Sequence, residues 1–116
     1  MLAGLELGGV PLAVAAARHC GLAVAFVRKK AKDYGTCRLA EGADISGRKV
    51  VVVEDVVTSG GQVVASAEEL RSRGAELVSA LCVIDREAGG PEALGRIGLR
   101  LDSLFTMSQL KEAAQA

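Results

Sequence analysis

The chain has 116 residues, enough for one domain with one hydrophobic core, and its fourteen basic and fourteen acidic side chains cancel, so the overall charge gives no support for a nucleic-acid or membrane partner. Half of the residues are hydrophobic but only 3% are aromatic, which predicts an aliphatic core. No apolar run approaches the ~20 residues that span a bilayer, and the three cysteines are far apart without a C-x-x-C pair, which argues against a disulfide framework or zinc site and fits a reducing cytoplasm.

The first half of the chain predicts a helix, a strand and a long loop. Residues 10–20 are a helix candidate, with Pro11 near the first turn and Gly21 just past the end. Residues 22–27 are predicted to form a short apolar strand. Residues 28–47 are polar and basic and are predicted to form a long loop, and such a loop in a small domain is often functional.

The second half alternates strands with helices. Residues 49–54 are a mostly apolar run, as expected for a strand covered by helices on both sheet faces. Apolar residues then recur at helical spacing over residues 62–73, at Val63, Val64, Ala67 and Leu70. Further along we predict a strand at 77–84, a short helix at 91–96, a strand at 99–104 and a closing helix with Ser108 as its N-cap. The alternation predicts one α/β domain over residues 1–116, with a mainly parallel twisted sheet flanked by helices.

Residues 50–62 carry the most specific pattern in the chain. Four valines run into two adjacent acids, Glu54 and Asp55, at a predicted carboxyl end of a strand, where ligands bind in such sheets. A Thr-Ser-Gly-Gly turn follows and leads into a helix, so its N–H groups can bind a phosphate. The carboxylates can accept hydrogen bonds from sugar hydroxyls or approach a divalent cation. Neither a Walker loop nor a Rossmann fingerprint is present, and the segment favours a phosphorylated-sugar site over an ordinary strand-turn-helix.

Two further segments have two interpretations each. The glycine turn over residues 4–13 can present N–H groups to a diphosphate, but a tight turn without a ligand is equally consistent with it. The basic run at Arg28, Lys29, Lys30 and Lys32 is either a solvated loop or a lid over a polyanion. Cations aimed at a diphosphate leaving group would stabilise its developing charge, and closure would exclude water.

Arg86 follows a predicted strand, again at a carboxyl end. Arginine is suited to bidentate recognition of a carboxylate. The alternative is a surface arginine paired with Asp85 or Glu87, and the pattern by itself favours that alternative.

Taken together, these segments resemble the orotate phosphoribosyltransferases, a group of the type I phosphoribosyltransferase family. The resemblance runs over nearly the whole chain, and it rests on four motifs in order: Glu-Leu-Gly-Gly-Val-Pro-Leu-Ala, Arg-Lys-x-x-Lys-Asp-x-Gly, Glu-Asp-Val-Val-Thr-Ser-Gly-Gly and Asp-Arg-Glu. The third motif is that of the phosphoribosyl pyrophosphate (PRPP) site of many family members. The basic loop and the downstream arginine indicate the orotate enzyme.

The resemblance implies transfer of the 5-phosphoribosyl group from PRPP to orotate, giving orotidine 5′-monophosphate and pyrophosphate, with Mg²⁺ carried by PRPP rather than by the protein alone. It implies a catalytic role for Lys32, Glu54 and Asp55, with Lys32 as the electrostatic catalyst. The implied substrate-binding residues are Arg28, Lys29, Tyr34, Glu54, Asp55, Val56, Val57, Thr58, Ser59, Gly60, Gly61, Gln62 and Arg86. Within this set the acids hold the ribose hydroxyls, residues 58–61 hold the 5′-phosphate, and Arg86 holds orotate. It also implies a cytoplasmic homodimer that shares lid residues across its interface.

The chain departs from the family pattern at three places. Tyr34 stands where many members have a histidine, and tyrosine stays neutral near pH 7. Gly8 stands where some members have a lysine. The family's N-terminal hood over the base is expected to be absent. A PRPP-binding regulatory domain or an inactive fragment is therefore an alternative, and a purine-type phosphoribosyltransferase is another, although Arg86 argues against the latter because purines lack a carboxylate.

Overall fold

The computed structural model describes residues 1–29 and 40–115, with Ala40 described by its backbone alone. Its strands are Leu2–Leu5 (β1), Val24–Val27 (β2), Ala40–Gly42 (β3), Lys49–Val57 (β4), Glu76–Asp85 (β5) and Leu101–Thr106 (β6). Its helices are Gly9–Cys20 (α1), Gly61–Ser72 (α2), Gly90–Arg96 (α3) and Met107–Gln115 (α4).

The strands form one six-stranded sheet in the order β3-β2-β1-β4-β5-β6. Every neighbouring pair is parallel except β2 and β3, which are antiparallel. Strand β1, only four residues long, lies between β2 and β4 in the middle of the sheet. The prediction of a mainly parallel α/β sheet flanked by helices is confirmed.

The core has two layers because helices cover both faces of the sheet. Val52 packs with α2 residues such as Leu70 and with Leu94 of α3. Its neighbour Val53 packs with Ala13 and Ala17 of α1. Since successive side chains of a strand point to opposite faces, α1 lies on one face and α2 and α3 on the other. Both layers are aliphatic, as the composition predicts.

Three predicted bounds differ from the structure, and the first two matter for the site. Strand β4 does not end before the acids but continues to Val57, because its pairing with β5 extends to the Val57–Asp85 pair. Residues 28–47 are not all loop, because Ala40–Gly42 returns to the sheet as β3 and pairs with Val27. Strand β6 likewise begins at Leu101 rather than at residue 99.

The cap of α4 is Thr106 rather than the predicted Ser108. The Thr106 Oγ1 accepts a hydrogen bond from the Gln109 N–H at 3.3 Å, and the Gln109 Oε1 accepts one from the Thr106 N–H at 2.8 Å. This reciprocal pair is a capping box with the sequence Thr-x-x-Gln. Ser108 lies in the first turn instead, and its N–H donates to the Glu87 Oε1 at 2.6 Å. Among the described residues, no helix combines the length and the apolar character needed to cross a membrane.

Candidate active site

The predicted site segments meet at one edge of the sheet. Strands β1, β2, β4 and β5 are mutually parallel neighbours, so their carboxyl ends lie side by side. The glycine turn after β1, the pair Arg28–Lys29 after β2, residues 54–61 and Arg86 therefore lie along the same edge. The topology, rather than proximity in sequence, brings them together.

The acid pair occupies the end of β4, where both carboxylates bend back onto the strand. The Glu54 Oε1 accepts a hydrogen bond from the Asp55 N–H at 3.0 Å, and the Asp55 Oδ1 accepts one from the Val56 N–H at 2.7 Å. Burial raises the pKa of Glu54 to about 7, helped by the adjacent Asp55 carboxyl and opposed by the Asp55 backbone N–H and by Lys29. The charge of Glu54 is therefore poised to change near neutral pH.

Two glycines of the first turn make room for this acid pair. A Cβ added to Gly8 would overlap the Asp55 carboxylate, and one added to Gly9 would overlap the Val53 carbonyl oxygen. The turn therefore packs directly on the end of β4. A lysine at position 8, as in some members of the family that the chain resembles, would require the Asp55 carboxylate to move.

The turn after β4 forms a pocket whose surroundings suit an anion. Gly60 has φ 87°, a left-handed conformation that favours glycine. The pocket is lined by residues 54 and 56–63. Helix α2 begins at Gly61 with no side-chain cap at Gly60 and no acidic residue in its first turn. Its first N–H groups and its positive dipole end are thus directed at the pocket, where they favour a phosphate.

Helix α3 supports this pocket from behind. A Cβ on Gly60 would lie 3.0 Å from the Leu94 Cδ1 and 3.3 Å from the Gly90 Cα. A Cβ on Gly90 would in turn lie 2.7 Å from the Val57 Cγ1. The two glycines therefore allow the turn and α3 to approach closely, and a side chain at either position would meet its neighbours.

The described part of the basic run is tied to two glutamates. The Arg28 Nη2 lies 3.3 Å from the Glu41 Oε1, and the pair joins the end of β2 to β3. The Lys29 N–H donates to the Glu6 Oε1 at 3.3 Å, which joins the basic run to the first glycine turn. Lys29 is also close enough to Glu54 to favour its ionised form. The predicted lid residues Lys32 and Tyr34 lie outside the described residues.

Arg86 lies beside the end of β4. Its N–H donates to the Val57 carbonyl oxygen at 2.9 Å, which places it next to Thr58. No ion pair to Arg86 is found in the described part of the chain. Both neighbouring acids are engaged elsewhere, since Asp85 accepts the Glu87 N–H and Glu87 accepts the Ser108 N–H. This arrangement favours the ligand-binding interpretation over a paired surface arginine.

The residues fit a magnesium ion only if a ligand helps to bind it. Within residues 1–29 and 40–115, no group of three or more His, Cys, Asp or Glu side chains is placed to hold a metal. Glu54 and Asp55 offer adjacent carboxylates, and Mg²⁺ is commonly bound by one or two carboxylates together with substrate phosphates.

Sequence reasoning missed the two glutamates that hold the basic run. Glu6 lies inside a glycine turn for which the sequence predicts only backbone N–H contacts. Glu41 lies in a segment predicted to be a loop. The antiparallel pairing of Phe26 with Glu41 places Glu41 near Arg28. No local sequence pattern predicts this pairing, because it depends on how β3 returns to the sheet.

Comparison with known proteins finds relatives that match almost the whole chain. The family model described as phosphoribosyl transferase domain matches residues 1–95. A curated orotate phosphoribosyltransferase of Nocardioides sp. is 46% identical over 116 residues, which is 100% of this chain and 65% of the relative. One from Halobacterium salinarum is 46% identical over 97% of this chain and 64% of its own length.

Solved structures show the same fold. Orotate phosphoribosyltransferase from Aeropyrum pernix superposes with a TM-score of 0.84 at 34% identity, covering 99% of this chain and 63% of that one. The Mycobacterium tuberculosis orotate phosphoribosyltransferase in complex with PRPP gives a TM-score of 0.83 at 34% identity, with 94% and 63% covered. The chain thus spans less than two thirds of the length of these relatives, and the predicted type I phosphoribosyltransferase-like fold is confirmed.

Proposed function

Because the chain belongs to the phosphoribosyl transferase domain family, we propose that it transfers the 5-phosphoribosyl group from PRPP to orotate. The products are orotidine 5′-monophosphate and pyrophosphate, in the synthesis of pyrimidine nucleotides. The observation that carries the proposal is the position of Arg86, whose N–H is bonded to the Val57 carbonyl oxygen at 2.9 Å beside the anion pocket. One edge of the sheet thus offers a phosphate cradle, an acid pair for a sugar and an arginine for a carboxylate-bearing base.

The described residues divide the substrate between them. The N–H groups of residues 58–61 and the start of α2 bind the 5′-phosphate. Glu54 and Asp55 accept hydrogen bonds from the ribose hydroxyls, and Val56, Val57 and Gln62 complete the walls of the cradle. Arg86 binds the carboxylate of orotate with two parallel N–H···O bonds, next to Thr58.

In the reaction, a ring nitrogen of orotate bonds to C1 of the ribose and loses its proton to pyrophosphate or to solvent, while the bond from C1 to the diphosphate oxygen breaks. The electron pair of that bond leaves with pyrophosphate. Cations near the leaving group lower the barrier because its charge develops in the transition state. We assign this role to Lys32, Arg28 and Lys29, and a hydrogen-bonding role to Tyr34. Of these, Lys29 already lies near Glu54.

We propose Mg²⁺ as the cofactor, held by the substrate's diphosphate and approached by Glu54 and Asp55. When bound, it neutralises phosphate charge and helps to orient PRPP. A cation also favours the ionised form of Glu54, whose pKa of about 7 otherwise leaves it partly protonated at neutral pH. We place the reaction in the cytoplasm, in keeping with the cysteine usage of the chain.

We also propose a homodimer in which lid residues, Lys32 among them, are shared across the interface, with no nucleic-acid or membrane partner. Mixing a Lys32→Ala variant with an Asp55→Ala variant and exchanging subunits should then restore activity. Heterodimers would be about half of the population, each with one intact site, so about a quarter of wild-type activity is expected. Absence of recovery from a mixture shown to exchange would contradict a shared site.

The proposed activity is tested by the loss of orotate absorbance when the full chain is mixed with PRPP and Mg²⁺. We expect consumption that Lys32→Ala abolishes. Arg86→Ala should weaken orotate binding far more than PRPP binding, and adenine or hypoxanthine should not replace orotate. PRPP binding by folded protein without consumption of orotate would contradict catalysis and favour a PRPP-binding regulatory domain. Equal losses for both substrates in Arg86→Ala would contradict the role given to Arg86.

A further inference from the structure

The turn that carries Arg86 is held at three points. The Arg86 N–H donates to the Val57 carbonyl oxygen at 2.9 Å. The Glu87 N–H donates to the Oδ1 of Asp85 at 2.9 Å, and Asp85 is a buried residue. The Glu87 carboxylate accepts the Ser108 N–H at 2.6 Å, which ties the turn to the first turn of α4. Arg86 thus lies between two acids that bind backbone rather than its own guanidinium.

The backbone at Glu87 is in an uncommon conformation. Its φ is 60°, and it is the single non-glycine residue with positive φ in the described part of the chain. Such a conformation is disfavoured for a residue with a long side chain and persists where the surroundings hold it. The surroundings here are Asp85 on one side and Ser108 on the other.

Capping of α4 does not by itself account for the Glu87–Ser108 contact. The helix already has a capping box between Thr106 and Gln109. Helix α4 also buries no residue, so the core does not fix its position. Hydrogen bonds from Ser108, from its side chain first and then its backbone N–H, lower the pKa of the Glu87 carboxyl below its ordinary value. A charged carboxylate accepts a stronger hydrogen bond than a neutral group does. Its negative charge also interacts favourably with the positive end of the α4 dipole.

We propose that Glu87 is a positioning residue for base recognition, which holds Arg86 in place by tying its turn to the N-terminus of α4. The proposal rests on the assignment of Arg86 to the orotate carboxylate. A bidentate arginine contact requires both the distance and the plane of the guanidinium to be right. Ser108 lies two residues after Thr106, which pairs with Asp85 at the end of the sheet. The hydrogen bonds from Ser108 to Glu87 and from Arg86 to Val57 therefore limit the freedom of the turn before the substrate arrives.

The test compares Glu87→Ala with Glu87→Gln in the full chain. Glutamine keeps an oxygen acceptor for the Ser108 N–H, whereas alanine removes it. We expect Glu87→Ala to raise the KM for orotate about tenfold with the KM for PRPP unchanged, and Glu87→Gln to restore most of the loss. The Arg86→Ala, Glu87→Ala double variant should bind orotate no worse than Arg86→Ala alone, because Glu87 acts through Arg86. Additive losses in the double variant, or equal changes in both KM values, would overturn the proposal.

A second readout separates this proposal from the assigned activity. In substrate-free protein, Glu87→Ala should shift the NMR signal of the Arg86 Nε–H and speed the hydrogen exchange of the Ser108 amide. Both signals should move little in Glu87→Gln. If Arg86→Ala does not change orotate binding, the assigned role of Arg86 is wrong, even when the Arg86 NMR signal and the Ser108 exchange rate change as expected. If Arg86→Ala weakens orotate but Glu87→Ala leaves the KM and both signals unchanged, the positioning role alone fails.

Discussion

At the scale of single residues, we expect Glu54 to make both stability and the proposed ligand binding depend on pH. Its pKa is raised from 4.5 to about 7 in the folded chain, chiefly by burial. The folded state then holds a proton that the unfolded state has lost, so its contribution to stability is complete below pH 4.5 and disappears as the pH rises through about 7. Urea unfolding at several pH values should show this decline, and Glu54→Gln should flatten it. An unchanged slope in Glu54→Gln would contradict the raised pKa.

PRPP binding should depend on pH in the opposite sense, because ribose hydroxyls and Mg²⁺ both favour the ionised carboxylate of Glu54. A group with a pKa of about 7 is about tenfold more ionised at pH 8 than at pH 6. PRPP affinity should rise by up to that factor over this range. The phosphates of PRPP titrate in this range as well. The pH dependence of PRPP affinity that remains in Glu54→Gln is due to the phosphates, because the substitution removes only the Glu54 carboxyl.

Gly8 is expected to matter for binding more than for folding. A methyl group at position 8 would overlap the Asp55 carboxylate, which can rotate away, and the backbone at Gly8 has an ordinary helical conformation. We expect Gly8→Ala to lower PRPP affinity about tenfold, since a displaced carboxylate loses its hydrogen bonds to the ribose. Gly95→Ala is a matched control, because nothing lies within 4 Å of a Cβ there. Equal affinities for the two variants, measured by calorimetry, would count against the proposed contact of Asp55.

At the scale of secondary structure, the fold was more predictable than the site. Helices α1 and α2 and strand β5 were predicted within two residues at each end, because apolar periodicity and flanking glycines act locally. The end of β4 was misplaced because charged side chains suggest a loop, whereas pairing with β5 holds Glu54 and Asp55 in the strand. The Thr106–Gln109 capping box has a local sequence signature, Thr-x-x-Gln, although the prediction assigns the cap to Ser108.

The site contacts depend on longer-range geometry. Arg86 lies near Thr58 because β4 and β5 are parallel neighbours. The alternation of strands and helices in the sequence predicts this pairing in outline. Three hydrogen bonds near the site join segments at least 13 residues apart: Lys29 with Glu6, Arg28 with Glu41 and Ser108 with Glu87. Such contacts need coordinates, because no local pattern specifies the partner.

The junction between α1 and β4 gives a prediction for this scale. A methyl group on Gly9 would overlap the Val53 carbonyl oxygen, which belongs to the central sheet and cannot rotate away. Gly9→Ala should therefore lower the free energy of unfolding by about 1–3 kcal/mol. Gly95→Ala lies in helix α3 with open space around it and should change stability by no more than about 1 kcal/mol, in the stabilising direction. Chemical denaturation measures both, and a neutral Gly9→Ala would contradict the close packing of α1 on β4.

At the scale of the whole molecule, the arrangement is a doubly covered sheet with its chemistry gathered at one edge. Because the net charge is zero, the overall electrostatic field of the chain does not attract a polyanionic substrate. Local charged groups must supply that attraction. The cradle at α2, the acids at the end of β4 and the arginine after β5 come from three consecutive elements of the chain. Because they share one edge of the sheet, the proposed substrate could contact all three.

The most direct test of the account is calorimetric titration of the full chain with PRPP in the presence of Mg²⁺, comparing wild type with Asp55→Asn and Asp102→Asn. Both substitutions remove one negative charge at nearly constant shape. Asp55 lies in the acid pair, whereas Asp102 lies on β6 and pairs with Arg100. We expect Asp55→Asn to weaken PRPP binding at least about tenfold and Asp102→Asn to leave it unchanged. PRPP affinity that is the same in all three proteins, or absent from folded wild type, would contradict a PRPP site at the end of β4.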